Sequence, residues 1–159
     1  MRLHALMVLL SVCAIAPAHA KSRTAQAKSA GETNALTGTW EIVDAAPAPW
    51  SDTSERSAIT ARGKKLLKAH VTFAGKAVSG VFACKGARYE TTSYPIDSVF
   101  QASLPEPQIK FAKQLGLPEG EVPGVDVNCS TGLFSYHFLN KDTALLGYND
   151  VIYTLKRTQ

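Results

Sequence analysis

The sequence predicts a mainly β domain, an antiparallel barrel of about eight strands with one or two short helices. Short runs rich in β-branched and aromatic residues recur along the chain, separated by turn residues. The strand–helix–strand rhythm that builds parallel sheets is missing from the pattern. The composition is that of an ordinary globular protein, with 45% hydrophobic and 19% charged residues, which disfavours disorder and coiled coils.

The chain begins with the pattern of an export signal. Arg2 precedes an apolar run over residues 5–15, and the small residues Ala18 and Ala20 follow it as a cleavage site. The run is too short to span a bilayer, and no later stretch is longer, so we expect no membrane span. Removing residues 1–20 of the 159 leaves 139, which suits one domain in a periplasmic or secreted protein.

A polar tail precedes the first predicted strand, and a segment that can form a short helix follows it. Residues 21–35 are small and polar, which predicts a flexible tail before a single domain over residues 36–159. The first β-rich run covers residues 36–43 and closes at an Ala/Pro segment. After it, Asp52 or Ser54 can cap a short helix that Gly63 would stop.

The middle of the chain predicts two hairpins and one helix. Residues 69–73 and 77–82 flank a Gly-Lys turn, and residues 83–85 and 87–94 flank Gly86. Ser103 to Glu106 has the spacing of a capping box. The helix that it would start has an apolar face, formed by Ile109, Ala112 and Leu115.

The last third carries the clearest pattern, four strands in quick succession joined by Ser, Asn, Asp and Gly turns. These strands cover residues 125–129, 133–139, 144–148 and 151–155. Along the second of them Phe134, Tyr136 and Phe138 alternate with smaller or polar residues, so this aromatic row is the predicted core side.

The cysteines predict a disulfide. Cys13 leaves with the signal, and Cys84 and Cys129 remain as an even pair in an oxidising compartment. A nucleophilic or metal-binding thiol is the alternative, but exported thiols usually pair and no Cys-x-x-Cys spacing occurs.

Gly38-Thr39-Trp40 on the first strand of a small exported barrel resembles the lipocalin and wider calycin group. In that group a cation from the end of the last strand crosses the tryptophan, and here Arg157 follows the last predicted strand. The resemblance implies a barrel closed by Trp40 and Arg157, both structural. The layout is also similar to small bacterial envelope barrels of the lysozyme-inhibitor type.

Residue sets for catalysis and metal binding are sparse. His70 and His137 lie far apart without metal-site spacing, so we expect no metal and no cofactor. A nucleophilic set would need Ser130 or Ser135 with His137 and an aspartate, and the Gly-x-Ser-x-Gly elbow is missing. The aspartates considered for that set are Asp126 and Asp142. We therefore expect a protein that is not an enzyme.

Nucleic acid is not an expected partner. Without Arg2 the chain keeps 16 of its 17 basic residues against 13 acidic ones, a mild charge of about +3. The dense basic cluster, from Arg62 to Lys68, lacks the interleaved aromatic residues of a nucleic-acid groove.

Aromatic residues in loops are the candidate binding residues: Trp50, and Phe100 and Phe111 in the long connection 93–124. We expect a non-catalytic exported binding protein of the bacterial envelope. One form of such a protein is an inhibitor, or an immunity-type partner, of a cell-wall-active enzyme. The alternative is a carrier of a small apolar ligand, which needs an internal cavity of about 300 Å³ or more.

Overall fold

The structure is a computed structural model that describes residues 34–158. The predicted signal and residues 21–33 of the predicted tail lie outside the described residues. Asn34 already belongs to the folded domain, since its side chain accepts the Leu36 N–H at 2.8 Å. None of the helices in the described part of the chain is long and apolar enough to cross a membrane.

Nine antiparallel strands form one sheet that curls into a half-barrel, which confirms the predicted fold class with one strand more than expected. The strands are β1 Gly38–Pro47, β2 His70–Ala74, β3 Ala77–Gly80, β4 Cys84–Lys85, β5 Arg88–Tyr94, β6 Val122–Cys129, β7 Gly132–Asn140, β8 Thr143–Tyr148 and β9 Val151–Arg157. The sheet order is β4-β3-β2-β1-β9-β8-β7-β6-β5. Strands that follow one another in sequence pair with each other, except β4 and β5, which lie at opposite edges, and β1 also pairs with β9.

The first strand is longer than its local sequence predicts. It continues through Ala45 and Ala46 to Pro47, because these residues pair with the start of β9 after an irregularity between Ile42 and Asp44. The bulge re-aims the strand, and the ladder to β9 overrides the low β propensity of alanine and proline.

The first helix lies against the end of β1. A 3₁₀ turn, Thr53–Glu55, leads into α1, Arg56–Lys64, and the Asp52 carboxylate accepts the Ser54 N–H at 2.8 Å. Gly63 lies inside α1 and does not end it. A Cβ there would come within about 3.0 Å of Val151 and 3.1 Å of Ala45, so the glycine allows the close approach of helix and sheet.

The second helix also differs from its prediction. A 3₁₀ segment, Ile96–Ala102, precedes α2, Gln108–Gln114, whose N-cap is Pro107 without a side-chain cap. The predicted capping box is therefore wrong. Ile109 is 63% exposed, whereas Ala112 is buried, because α2 rests on the sheet through one short stripe.

Both faces of the sheet are covered. The concave face is filled by one apolar cluster that contains the predicted Tyr136 and Phe138, with Phe134 packed against it. The convex face carries a second cluster, in which Leu145 and Ile152 pack against the connection between β5 and β6. That connection supplies Val99, Phe100, Leu104, Ala112 and Leu117.

The two edge strands, β4 and β5, follow one another in sequence. Cys84 in β4 and Cys129 at the end of β6 form a disulfide with an S–S distance of 2.07 Å. The Ala87 N–H donates to the Lys76 carbonyl at 2.9 Å. The hydrogen bond continues the β3–β4 ladder, whereas the disulfide links edge strand β4 to β6, the neighbour of the other edge strand.

Candidate functional site: a groove on the outer face

A groove of about 350 Å³ lies on the convex face of the sheet, between the β7–β8 hairpin and the segment Ile96–Ala102. We call it the outer groove. Its lining residues are Trp50, Phe100, Gln101, Ser103, Leu133, Ser135, His137, Gly147, Tyr148, Asn149 and Asp150.

The floor of the outer groove follows from strand alternation. Leu133, Ser135 and His137 point to the convex face of β7, opposite to its aromatic row. On β8 Gly147 occupies the same face, and a Cβ there would come within 3.0 Å of Phe100 and 3.4 Å of Trp50. Because Gly147 has no side chain, the rings of Phe100 and Trp50 can pack directly against the strand.

Trp50 and Phe100 form one wall of the outer groove. Their ring centroids are 5.4 Å apart and their planes are inclined by 44°. Phe100 opens a run of three residues with positive φ, at 51°, 58° and 59° for Phe100, Gln101 and Ala102. Such backbone is unfavourable for residues with a Cβ and persists only where surrounding contacts hold it.

His137 supplies one of those contacts. Its Nε2 accepts the Phe100 N–H at 3.1 Å, and its ring lies between Tyr94 and Phe100, with centroid distances of 4.7 and 4.6 Å. Burial lowers the pKa of His137 to about 4, with the Asp126 carboxylate opposing the shift. The neutral imidazole then carries its proton on Nδ1, which has no hydrogen-bond partner among residues 34–158.

The nucleophilic set considered from the sequence is not assembled. The Asp126 carboxylate accepts the hydroxyl of Tyr94, and the acceptor nitrogen of His137 is occupied by the Phe100 N–H. Asp142 lies elsewhere, 3.6 Å from the Arg157 guanidinium. Serine, histidine and aspartate therefore lack the hydrogen-bonded chain that activates a nucleophile.

Two of the three candidate binding residues meet in the outer groove. Trp50 and Phe100 line it, whereas Phe111 does not: it is half-buried in α2, packs on the convex cluster and has the Lys110 ammonium 5.9 Å from its ring. Leu133, Gly147 and Tyr148 also belong to the groove and were not singled out from the sequence. Alternation along β7 could have indicated the exposed face of Leu133, but no local signal could have placed Trp50 above Gly147.

The residues of the lipocalin resemblance lie together, away from the outer groove. The Arg157 guanidinium carbon is 4.3 Å from the centre of the Trp40 ring, and its Nη1 donates to the Thr37 carbonyl at 2.6 Å. The Trp40 indole donates to the Leu36 carbonyl at 2.7 Å.

Two other surface features lie apart from the outer groove. A depression of about 540 Å³ lies over α1 and is lined by Pro47 and exposed residues of that helix. No group of three or more potential metal-ligating side chains occurs in the described part of the chain, and His70 stands beside Glu41 at 3.9 Å.

Comparison with known proteins adds no relative. No family model, no curated protein and no solved structure matches this chain. Fold and site define its class: an antiparallel half-barrel with a filled concave face and a groove on the convex face.

Proposed function

We propose that this chain is a non-catalytic, exported binding protein of the bacterial envelope that contacts a partner protein through the outer groove. An inhibitor or immunity-type protein that restrains a cell-wall-active enzyme is the form we favour. The observation that carries the proposal is the outer groove itself, a depression with a preformed aromatic wall.

The edges of the outer groove have the character of a protein-binding surface. Leu133 is 45% exposed at the groove, and Tyr148 is 40% exposed at its rim, where the tyrosine ring also packs on Phe82 and Phe134 of the concave side. Tyrosine and tryptophan present large apolar area and lose little conformational entropy on binding, which is why they dominate protein interfaces. Exposed side chains of this kind beside a preformed cleft favour recognition of another macromolecule.

Export is supported by two features of different origin. The first residues have the charged, apolar and small-residue order of a secretory signal. Cys84 and Cys129 lie at disulfide distance, a bond that persists in oxidising compartments. Both fit a periplasmic or secreted protein.

The carrier alternative is less well supported. The concave face, where a lipocalin-like carrier would hold its ligand, is packed with aromatic rings. Phe73 meets Tyr136 edge-on at 5.3 Å and Tyr89 at 6.4 Å, and Trp40 lies 6.1 Å from Phe138. Both depressions described above are lined by residues outside this packed cluster.

Site-specific photo-crosslinking in the exporting cells tests the proposal. A photoreactive phenylalanine analogue replaces Leu133 or Tyr148 in the outer groove, or Val43, which is 41% exposed and does not line the groove, as the matched control. We expect one protein adduct of defined mass from both groove positions and none from Val43. Equal labelling at all three positions, or no adduct from either groove position, would contradict the proposal.

Native mass spectrometry of the recovered protein tests the carrier alternative separately. A small-molecule adduct that is lost on denaturation would favour the carrier. A bound protein of the same mass as the crosslinked species would favour the binding-protein proposal.

A further inference from the structure

We propose that the free edge of β5 pairs with β5 of a second copy of this chain, antiparallel and about a two-fold axis at Thr91. The two half-barrels then share one continuous sheet. This inference goes beyond the proposed function and does not rest on it, since the floor of the outer groove lies on β7 and β8.

β5 is an edge strand with one open side. Its seven residues, Arg88–Tyr94, pair with β6. Among residues 34–158 no other strand pairs with β5, and its backbone groups on the far side have no backbone hydrogen-bond partner. Outward N–H and C=O groups of this kind are a template for another strand.

The devices that usually protect an edge strand are missing from β5. Proteins shorten such strands, insert proline or a bulge, or cover them. β4, at the other edge of the sheet, is two residues long. β5 contains neither proline nor glycine, and its register with β6 is regular throughout. Of the nine described strands it alone contains no buried residue.

The position of β5 is fixed before any partner strand arrives. Each of its residues lies opposite a residue of β6, and the Cys84–Cys129 disulfide ties the end of β6 to β4. Just before β5 the Ala87 N–H donates to the Lys76 carbonyl at 2.9 Å. A preformed edge loses little conformational entropy when another strand pairs with it.

The sequence of β5 is complementary to itself. A two-fold axis perpendicular to the sheet keeps convex side chains beside convex side chains, so opposed residues are both even-numbered or both odd-numbered. Centred on Thr91, the pairing spans all seven residues and sets no like charges opposite each other. Thr91 meets Thr91 of the second copy, a favourable cross-strand pair. The remaining pairs between the copies are Arg88 with Tyr94, Tyr89 with Ser93, and Glu90 with Thr92.

Other registers are less favourable. A two-fold axis at Arg88 or at Glu90 places two like charges directly opposite each other, which destabilises the pair of strands. An axis at Tyr89 requires Ala87, whose N–H is already bonded within the chain. An axis beyond Thr91 leaves part of β5 unpaired. The charges and the length of the strand therefore select the register centred on Thr91.

The oligomeric state of the exported chain tests this proposal. One strand pair is a small interface, so we expect a reversible dimer in sedimentation equilibrium over a series of concentrations. Thr91 is exposed, and Thr91→Lys sets two like charges opposite each other at the axis. We expect this variant to raise the dissociation constant of the dimer by about fivefold or more. Val43→Lys adds the same charge at a position on β1 that is 41% exposed, and should leave the dimer unchanged.

A cysteine at the two-fold axis tests the register. Directly opposed residues of antiparallel strands have Cα atoms about 4.5 to 5.5 Å apart, within the range that a disulfide spans. Thr91→Cys should therefore form a disulfide-linked dimer under mild oxidation. Val43→Cys is the matched control and should remain monomeric on a non-reducing gel.

A wild-type chain that stays monomeric at every concentration would overturn the proposal. A dimer that Thr91→Lys leaves intact, or equal crosslinking of Thr91→Cys and Val43→Cys, would do the same. Loss of the dimer in Thr91→Lys and its return when Thr91→Lys and Thr91→Glu chains are mixed would support pairing at Thr91. Photo-crosslinking at Leu133 reports on the proposed function separately, because an adduct there neither requires nor excludes this dimer.

Discussion

His137 is the residue on which the outer groove depends most directly. It is fully buried, and its one hydrogen bond accepts the Phe100 N–H at the start of three residues with positive φ. The neutral imidazole can accept this bond and the imidazolium cannot, because both of its nitrogens are donors. Protonation would therefore remove the contact that holds Phe100 against Trp50.

This makes stability depend on pH in a defined direction. Burial lowers the pKa of His137 from 6.5 to about 4 in the folded state, so the unfolded chain binds more protons between these values. The contribution is complete above pH 6.5 and is lost as the pH falls towards 4, up to about 3 kcal/mol. Urea unfolding at pH 7.5, 6 and 5 measures it.

The controls for this prediction are two glutamine variants. His137→Gln removes the titration and should flatten the loss of stability across this window. His70→Gln, on an exposed strand position, should retain the full dependence. An unchanged pH dependence in His137→Gln would show that the imidazole is not its source.

Among the secondary-structure elements, β8 and the Ile96–Ala102 segment pack closely because Gly147 on β8 has no side chain. Gly147→Val would push against Phe100 and Trp50, whose atoms lie 3.0 and 3.4 Å from the added Cβ position. We expect a loss of about 1 to 3 kcal/mol in the free energy of unfolding, typical of overpacking.

Fluorescence and urea unfolding check this prediction together. Gly147→Val should shift the emission of Trp50 and lower the urea concentration at the midpoint of unfolding. Ser79→Val, which adds methyl groups at an exposed position on β3, should do neither. Wild-type stability and emission in Gly147→Val would refute the close packing at this point.

Elements were predictable where their signal is local. The hairpins of the last third follow from period-two alternation and from turn residues such as Asn149 and Asp150, and they are present as expected. The predictions of a capping box at Ser103 and of a helix end at Gly63 were wrong, because distant contacts determine the local structure at both positions. Gly63 faces β1 and β9, and Ser103 follows a segment that Phe100 anchors to the sheet.

At the scale of the whole molecule, the disulfide links edge strand β4 to β6, the neighbour of the other edge strand. Cys84 and Cys129 are separated by 45 residues. For a closed loop of this length, chain-entropy models predict a stabilisation of about 4 kcal/mol. We therefore expect Cys84→Ser with Cys129→Ser to lower the free energy of unfolding by up to that amount.

Urea unfolding with and without reductant provides the test. Reductant should destabilise the wild-type chain to a similar extent and leave the double variant unchanged. A double variant as stable as the oxidised wild type would show that the hydrogen-bonded sheet holds its curl without the bridge.

Neighbouring residues are enough to specify the mainly β class, the antiparallel hairpins and the aromatic side of β7, because alternation and turn chemistry are local patterns. Tertiary structure alone decided that residues 95–118 cover the convex face and that Trp50 and Phe100 meet over Gly147. A long connection has no periodicity that reports where it packs. Its position depends on apolar surface that becomes contiguous only once the sheet has formed.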